Sequence, residues 1–117
     1  MTPRDDRPHQ TASARIRALN DRLRTTFAGG QVLLTRGISD LPTETLTRVL
    51  AAVRAFDAFN TDNDPWGEHD MGALDIGDNR VFFKIDYLSA TSDMASDDPA
   101  DATQTRRVLT IMLAEEY

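Results

Sequence analysis

The 117-residue sequence contains no cysteine. This absence excludes a disulfide framework, a catalytic thiolate and a zinc site built on thiolates. The N-terminal residues also lack an apolar run, because positions 4–7 are all charged. We therefore expect neither a secretory signal nor a membrane anchor, and we predict a cytoplasmic protein that has no membrane partner.

The common catalytic and cofactor motifs are missing as well. The sequence has no Ser-His-Asp arrangement, no H-E-x-x-H, no P-loop and no G-x-G-x-x-G. Each of those patterns would have indicated a particular chemistry. We therefore expect no bound cofactor.

Positive charge is scarce in the middle of the chain. Residues 57–101 contain twelve acidic residues and only two basic ones, whereas the rest contains eleven arginines and seven acids. An acidic segment repels nucleic acid and can attract a basic protein surface. A solvated face that promotes solubility is the simpler explanation. The predicted partner is a protein with a basic surface, with no direct contact to nucleic acid.

The pattern of apolar residues predicts one α+β domain over residues 13–117, after a disordered polar tail over residues 1–12. Apolar residues at spacings of three and four predict a helix from about Ser13 to Phe27 and another from about Pro42 to Phe59. A third helix is predicted to begin at Asp98 and Pro99 and to include the apolar run 108–113. The basic face of the first helix is predicted to be solvated.

The strands are predicted at 31–36 and in a central hairpin at 70–88, where apolar and polar residues alternate. A two-residue turn at Asp78-Asn79 would pair Ile76 with Val81, Leu74 with Phe83, Gly72 with Ile85 and Asp70 with Tyr87. The predicted architecture is a three-stranded antiparallel sheet packed with three helices, in the order α-β-α-β-β-α. Phe82 and Leu88 on the outer face of this sheet suggest a homodimer as a further hypothesis.

One candidate site stands out, at Glu68-His69-Asp70. In the predicted register His69 shares the outer face with Asp86, so Glu68, His69, Asp70 and Asp86 are candidates for acid-base catalysis. Glu68, His69 and Asp70 could also bind a divalent metal. A purely structural role in the approach to the hairpin is the alternative. Further candidate binding residues are Arg36, Asp62, Asp64, Trp66, Lys84 and Tyr87.

Four segments carry a resemblance to a known family: 34–37 (LTRG), 62–70 (DNDPWGEHD), 84–87 (KIDY) and 107–117 (RVLTIMLAEEY). The chain resembles a family of small uncharacterised proteins, a domain of unknown function that is frequent in alphaproteobacteria and often carried on plasmids. The resemblance covers roughly residues 14–117. Met71 stands where that family often has Phe, and Leu88 where it often has a second Tyr.

The resemblance implies a bacterial accessory protein from a mobile element, and it implies no catalytic residues. Together with the acidic middle, it favours a non-enzymatic protein-binding accessory or inhibitor, such as an anti-CRISPR or antirestriction protein. The alternative hypothesis is a small metal-binding protein or hydrolase that uses Glu68, His69, Asp70 and Asp86.

Overall fold

A computed structural model describes residues 11–117. Its elements in chain order are α1 (Ala12–Thr26), β1 (Gln31–Leu34), α2 (Arg36–Ser39), α3 (Thr43–Ala55), β2 (Met71–Ile76), β3 (Asn79–Ser89), β4 (Thr105–Leu113) and a 3₁₀ turn (Ala114–Glu116). The predicted disordered tail lies outside the described residues except for Thr11 and Ala12. Thr11 is the N-cap of α1, and its Oγ1 accepts a 3.1 Å hydrogen bond from the Ala14 amide.

The four strands form one mixed sheet in the order β1-β4-β3-β2. Strand β1 is parallel to β4, and the other two pairings are antiparallel. The predicted α+β class is confirmed, and residues 11–117 contain three α-helices, although α2 was not predicted and the predicted C-terminal helix is absent. The predicted three-stranded antiparallel sheet and its order α-β-α-β-β-α were wrong, because β4 is a fourth strand and it separates β1 from the hairpin.

The C-terminal segment is strand β4, and the prediction of a helix there was wrong. Residues 99–104 form turns, and the strand begins at Thr105. Side chains of the adjacent strands β1 and β3 flank those of β4 on both faces, so the sequence of β4 is apolar without alternation and resembles a buried helix. In β4, Leu109 and Ile111 are buried on one face, and Val108 and Met112 on the other.

The hairpin has the predicted faces but a register shifted by two residues. Leu74 pairs with Val81 and Gly72 with Phe83, around a two-residue turn at Gly77-Asp78. Gly77 has a φ of 58°, which fits the first turn position of a type II′ hairpin. The pairing of Gly72 with Phe83 also fits sterically, because a Cβ on Gly72 would lie 2.6 Å from the Phe83 ring.

The apolar core lies between one face of the sheet and the helices. Its fully or nearly fully buried members are Leu23, Ile38, Val49, Val53, Val81, Phe83, Ile85, Leu109 and Ile111. Burial of each such side chain contributes roughly 1.5–3 kcal/mol before the cost of ordering the chain. The opposite face, called the outer face below, carries Phe82, Lys84, Asp86 and Leu88 of β3. None of the helices within residues 11–117 has the length and apolar character needed to cross a membrane.

The second predicted helix, 42–59, is shorter than expected because a buried arginine binds its end. Nη1 of Arg24 donates hydrogen bonds to three carbonyl oxygens at the C-terminal end of α3. They belong to Val53, Arg54 and Phe56, at 3.4, 3.3 and 2.8 Å. Arg24 is only 4% exposed, so the prediction of a solvated basic face on α1 was wrong at this position. The helix therefore ends at Ala55, and residues 56–70 form the loop that leads to the candidate site.

Candidate functional site

The Glu68 side chain faces the sheet and binds Tyr87. The Tyr87 hydroxyl donates to Glu68 Oε1 at 2.7 Å and accepts from Asn20 Nδ2 at 2.8 Å. Nδ2 of Asn20 also donates to the Glu68 carbonyl oxygen at 3.0 Å. Burial, followed by the bond to Glu68, raises the pKa of Tyr87 above its usual range. Tyr87 therefore stays protonated and acts as a fixed hydrogen-bond donor.

Arg107 of β4 joins the same network from the next strand. Its Nε donates to Asn20 Oδ1 at 3.0 Å, and its Nη2 donates to the carbonyl oxygen of Pro99. The guanidinium carbon lies 5.3 Å from the centre of the Tyr87 ring, a favourable cation–π geometry. Burial lowers the pKa of Arg107, while the nearby Tyr87 and Glu68 oppose that change.

His69 lies on the helical side of the molecule, and the prediction that it faces the outer side near Asp86 was wrong. The cause is the backbone of His69, which has a φ of 56°. Because this left-handed conformation is not that of a strand, the side chain does not follow the alternation of faces on which the prediction was based. Nδ1 of His69 lies 2.8 Å from Asp21 Oδ1, and its Nε2 lies 3.6 Å from Asp64 Oδ2. The imidazole also stacks on the Phe59 ring at 3.9 Å.

Asp64 orders the backbone of the loop. It is buried, and its Oδ1 accepts hydrogen bonds from the amides of Glu68 and His69, both at 3.1 Å. A carboxylate that accepts two amide hydrogen bonds fixes a tight turn, much as an Asx turn does. Gly67 within this turn has a φ of 67°, and its carbonyl oxygen accepts from Arg17 Nη1 at 3.0 Å.

The surroundings of the Asp70 carboxyl favour its protonated form. Its partial burial raises its pKa above 3.8, and the nearby Glu68, Asp64 and Asp86 raise it further, while a backbone hydrogen bond lowers it. Its carbonyl oxygen accepts a 2.7 Å hydrogen bond from the Ile85 amide, which places Asp70 at the start of the hairpin.

The remaining predicted site residues do not join this cluster. Asp86 and Lys84 form a 2.8 Å ion pair on the outer face of the sheet. Arg36 begins α2 at the opposite end of β1, where its nearest acidic partner is Asp40 at 3.5 Å. Asp62 and Trp66 are exposed in the loop, and Trp66 retains 78% of its surface.

Residues 34–116 match the model of a family that is described as "Protein of unknown function (DUF3768)". The chain belongs to this family. No curated protein and no solved structure matches the chain. The matched DUF3768 segment includes Glu68, His69 and Tyr87, whereas α1, which supplies Asn20 and Asp21, precedes it.

The sequence interpretation missed four residues that hold the DUF3768 loop in place: Asn20, Asp21, Arg24 and Arg107. A signal for Asn20 was present, because it lies four residues after Ile16 and three before Leu23, within the apolar stripe of α1. A polar side chain in an apolar stripe needs a buried partner. No local pattern marked Asp21, Arg24 or Arg107, whose partners are set by the tertiary fold.

The side chains of this DUF3768 site are engaged with one another. Glu68 accepts from Tyr87, His69 contacts Asp21, and Asp64 accepts from the loop amides. Across residues 11–117, no group of three or more His, Cys, Asp or Glu side chains is arranged to hold a metal ion. Through these hydrogen bonds the cluster connects α1, the loop and the sheet.

The two acidic loops of the DUF3768 domain lie at the same end of the sheet. Strand β2 begins, β3 ends and β4 begins at this end, so the loops 57–70 and 89–104 both emerge there. They also adjoin each other along one edge of β3, where Ile85 donates to Asp70 and Ser96 donates to the Tyr87 carbonyl. Together the loops contain nine acidic residues and no lysine or arginine. We call this region the acidic end.

The acidic end is also uneven in shape. The loop 89–104 encloses an open cleft of about 620 Å³, lined by Ser89, Thr91, Met94, Asp97, Gln104 and neighbouring residues. Met94 in the lining of the cleft is 74% exposed, and Trp66 on the other loop is 78% exposed. One acid of the region, Asp93, is paired with Arg106 at 3.0 Å. The acidic end thus combines exposed carboxylates at Asp57, Asp62 and Asp97, two exposed apolar side chains and a cleft.

Proposed function

We propose that this DUF3768 protein is a non-enzymatic binding protein whose acidic end binds a basic surface of a partner protein. The observation that carries the proposal is the placement of both acidic loops at one end of the sheet, with nine acids and no lysine or arginine between them. Opposite charge on a partner would steer association and fix orientation.

Trp66 supplies the apolar anchor that such an interface needs. Trp66 keeps 78% of its surface exposed, and tryptophan is among the residues enriched in binding hot spots. Asp62 lies four residues away on the same exposed loop. An exposed apolar anchor on the same loop as the exposed carboxylate of Asp62 favours a partner that presents arginine or lysine side chains around an apolar or aromatic residue.

The internal contacts of the His69 cluster support a binding role over catalysis. The alternative, a metal-binding protein or hydrolase built on Glu68, His69, Asp70 and Asp86, requires convergent side chains with free donor atoms. Here Asp86 pairs with Lys84 on the outer face, while the His69 ring contacts Asp21 and Phe59. The cluster instead fixes the loop that presents Trp66.

The proposed setting is a mobile genetic element of an alphaproteobacterium, in which the protein acts as an accessory or inhibitor. A nuclease or CRISPR complex binds nucleic acid through a basic channel, and a surface of carboxylates can compete for such a channel. The acidic end itself would repel nucleic acid, so we propose no direct contact with DNA or RNA.

The test is a pull-down from an alphaproteobacterial lysate at low salt, with three immobilised proteins. The first is the wild type. The second carries Asp57→Asn, Asp62→Asn and Asp97→Asn, which remove three exposed charges from the acidic end. The third carries Glu44→Gln, Asp78→Asn and Glu115→Gln, which remove three exposed charges at the opposite end and so produce the same change in net charge.

We expect the wild type and the opposite-end variant to retain the same basic protein, and the acidic-end variant to lose it. Raising the salt concentration should release the partner, because salt screens exposed charges. Equal retention by both variants, or a partner whose binding does not depend on salt, would contradict the proposal.

A further inference from the structure

Strand β2 is the edge of the sheet, and apart from the charged Asp75 it has few of the features that usually protect an edge. The strand order places β3 on one side of it, and within residues 11–117 no strand lies on the other side. Its sequence, Met-Gly-Ala-Leu-Asp-Ile, contains no proline and no lysine. Proteins usually block an exposed edge with those residues, with a bulge or with a covering loop, because a bare edge pairs with other strands.

The backbone groups that point away from β3 can be identified from the ladder. The Ile85 amide donates to the Asp70 carbonyl oxygen, so this pair is hydrogen-bonded. Hydrogen-bonded pairs alternate along an antiparallel ladder, which makes Gly72–Phe83 and Leu74–Val81 the next ones. The N–H and C=O groups of Met71, Ala73 and Asp75 therefore point towards the free edge.

We propose that this edge pairs with β2 of a second copy of the chain, antiparallel and with the two-fold axis at Ala73. In this register Ala73 pairs with the partner's Ala73, and Met71 pairs with the partner's Asp75. Every outward N–H and C=O of the three residues then has a partner. The two sheets become one continuous sheet of eight strands, with the helices of both copies on the same side.

The ends of the strand exclude the neighbouring registers. A shift of two residues in one direction would pair Asp75 with His69, and in the other direction it would pair Met71 with Gly77. His69 and Gly77 have φ values of 56° and 58°, which are incompatible with an extended strand. The register centred on Ala73 uses only extended residues.

The charges are compatible with this arrangement, although the chain has a net charge of −6. Asp75 is the one charged residue of β2, and it is already paired with Arg80 at 3.1 Å. In the dimer it would face the neutral Met71 of the partner, whose own neighbour across the ladder is Lys84.

Because the two strands run in opposite directions, the two acidic ends would lie at opposite ends of the joint sheet. Each acidic end would stay free for a partner.

The experiment is sedimentation velocity on the full chain, from micromolar to submillimolar concentrations. We expect a dimer for the wild type and for Ala73→Ser, which keeps the amide and adds little bulk. Ala73→Pro removes an N–H that β3 does not use, and proline is tolerated at such edge positions. We expect it to weaken the dimer at least about tenfold and to leave the circular dichroism spectrum unchanged.

A second measurement does not depend on the folding of the proline variant. Because the chain has no cysteine, Ala73→Cys carries a single thiol, which should lie beside its counterpart at the two-fold axis. A short bis-maleimide should cross-link Ala73→Cys into covalent dimers and leave Asp78→Cys, at the distant hairpin turn, without a covalent cross-link. A monomeric wild type, a dimer that persists in a folded Ala73→Pro, or equal linking of both cysteine variants would overturn the proposal. No binding partner enters these measurements, so their result is independent of the proposed function.

Discussion

The hydroxyl of Tyr87 and the carboxylate of Glu68 form a 2.7 Å hydrogen bond that connects strand β3 to the loop before the hairpin. The bond is reinforced by Asn20, which reaches both residues from α1. Three elements that are distant in sequence are thereby held at one position. The loop that exposes Trp66 is thus positioned by this buried polar network.

Replacing Tyr87 with Phe should destabilise the fold. The substitution removes the donor to Glu68 and the acceptor of Asn20, and it leaves both without that partner in a partly buried site. We expect a loss of about 1–3 kcal/mol in the free energy of unfolding, measured by urea denaturation. Tyr117→Phe is the matched control, since Tyr117 is 73% exposed and should tolerate the change. Equal stabilities for the two variants would contradict the role assigned to the network.

Asp64 and Asp62 should respond differently to the same substitution. Asp64→Ala leaves the amides of Glu68 and His69 without their acceptor, so we expect a loss of about 1–3 kcal/mol and faster hydrogen exchange at those two amides. Asp62→Ala removes an exposed side chain, and its expected effect is within about 0.5 kcal/mol. Hydrogen exchange followed by NMR measures both the site and the size of the effect. Unchanged protection in Asp64→Ala would be evidence against this account of the loop.

Asp70 should make the stability depend on pH in a definite direction. The fold raises its pKa above 3.8 and so favours the protonated carboxyl. The stability from this residue is therefore full below that value and is lost as the pH rises through the pKa of the folded state. Asp70→Asn stays neutral, so the free energy of unfolding of the variant minus that of the wild type should increase from acidic to neutral pH. Urea denaturation across this range measures the difference, and a difference independent of pH would refute the prediction.

Trp66→Ala should separate binding from stability. The side chain is mostly exposed and contributes little to the core, so the midpoint of thermal unfolding should stay unchanged. Its removal should weaken partner binding at least about tenfold, as expected for an aromatic hot spot. Met94→Ala, which truncates the other exposed apolar side chain of the acidic end, is the comparison variant. Isothermal titration with the recovered partner measures the effect, and unaltered affinity in Trp66→Ala would remove Trp66 from the interface.

Local patterns in the sequence were sufficient for α1, α3, β1 and the two strands of the hairpin. Helical spacing and strand alternation depend on neighbouring residues, and these were visible in the sequence. The predicted hairpin register differed from the observed one by two residues, because Asp78-Asn79 also suits a tight turn. The observed turn uses Gly77 at its first position, and Phe83 fills the space beside Gly72.

The errors at β4 and His69 arise from tertiary structure. A strand flanked on both sides loses its polar alternation, so Val108–Leu113 looks like a buried helix. His69 departs from the strand pattern because its backbone is left-handed, and the Asp64 carboxylate fixes that conformation by accepting hydrogen bonds from the backbone amides of Glu68 and His69. Asn20 and Arg107 pair with residues far away in the chain, and no local pattern could have indicated those pairs.

The most direct test of the binding role is the affinity of the purified partner for the two triple variants with equal net charge. We predict that Asp57→Asn, Asp62→Asn and Asp97→Asn together weaken binding at least about tenfold, with a reduced dependence of the dissociation constant on salt. The variant with Glu44→Gln, Asp78→Asn and Glu115→Gln should bind as the wild type does. An equal loss in both variants, or no loss in either, would contradict the assignment of the acidic end as the binding surface.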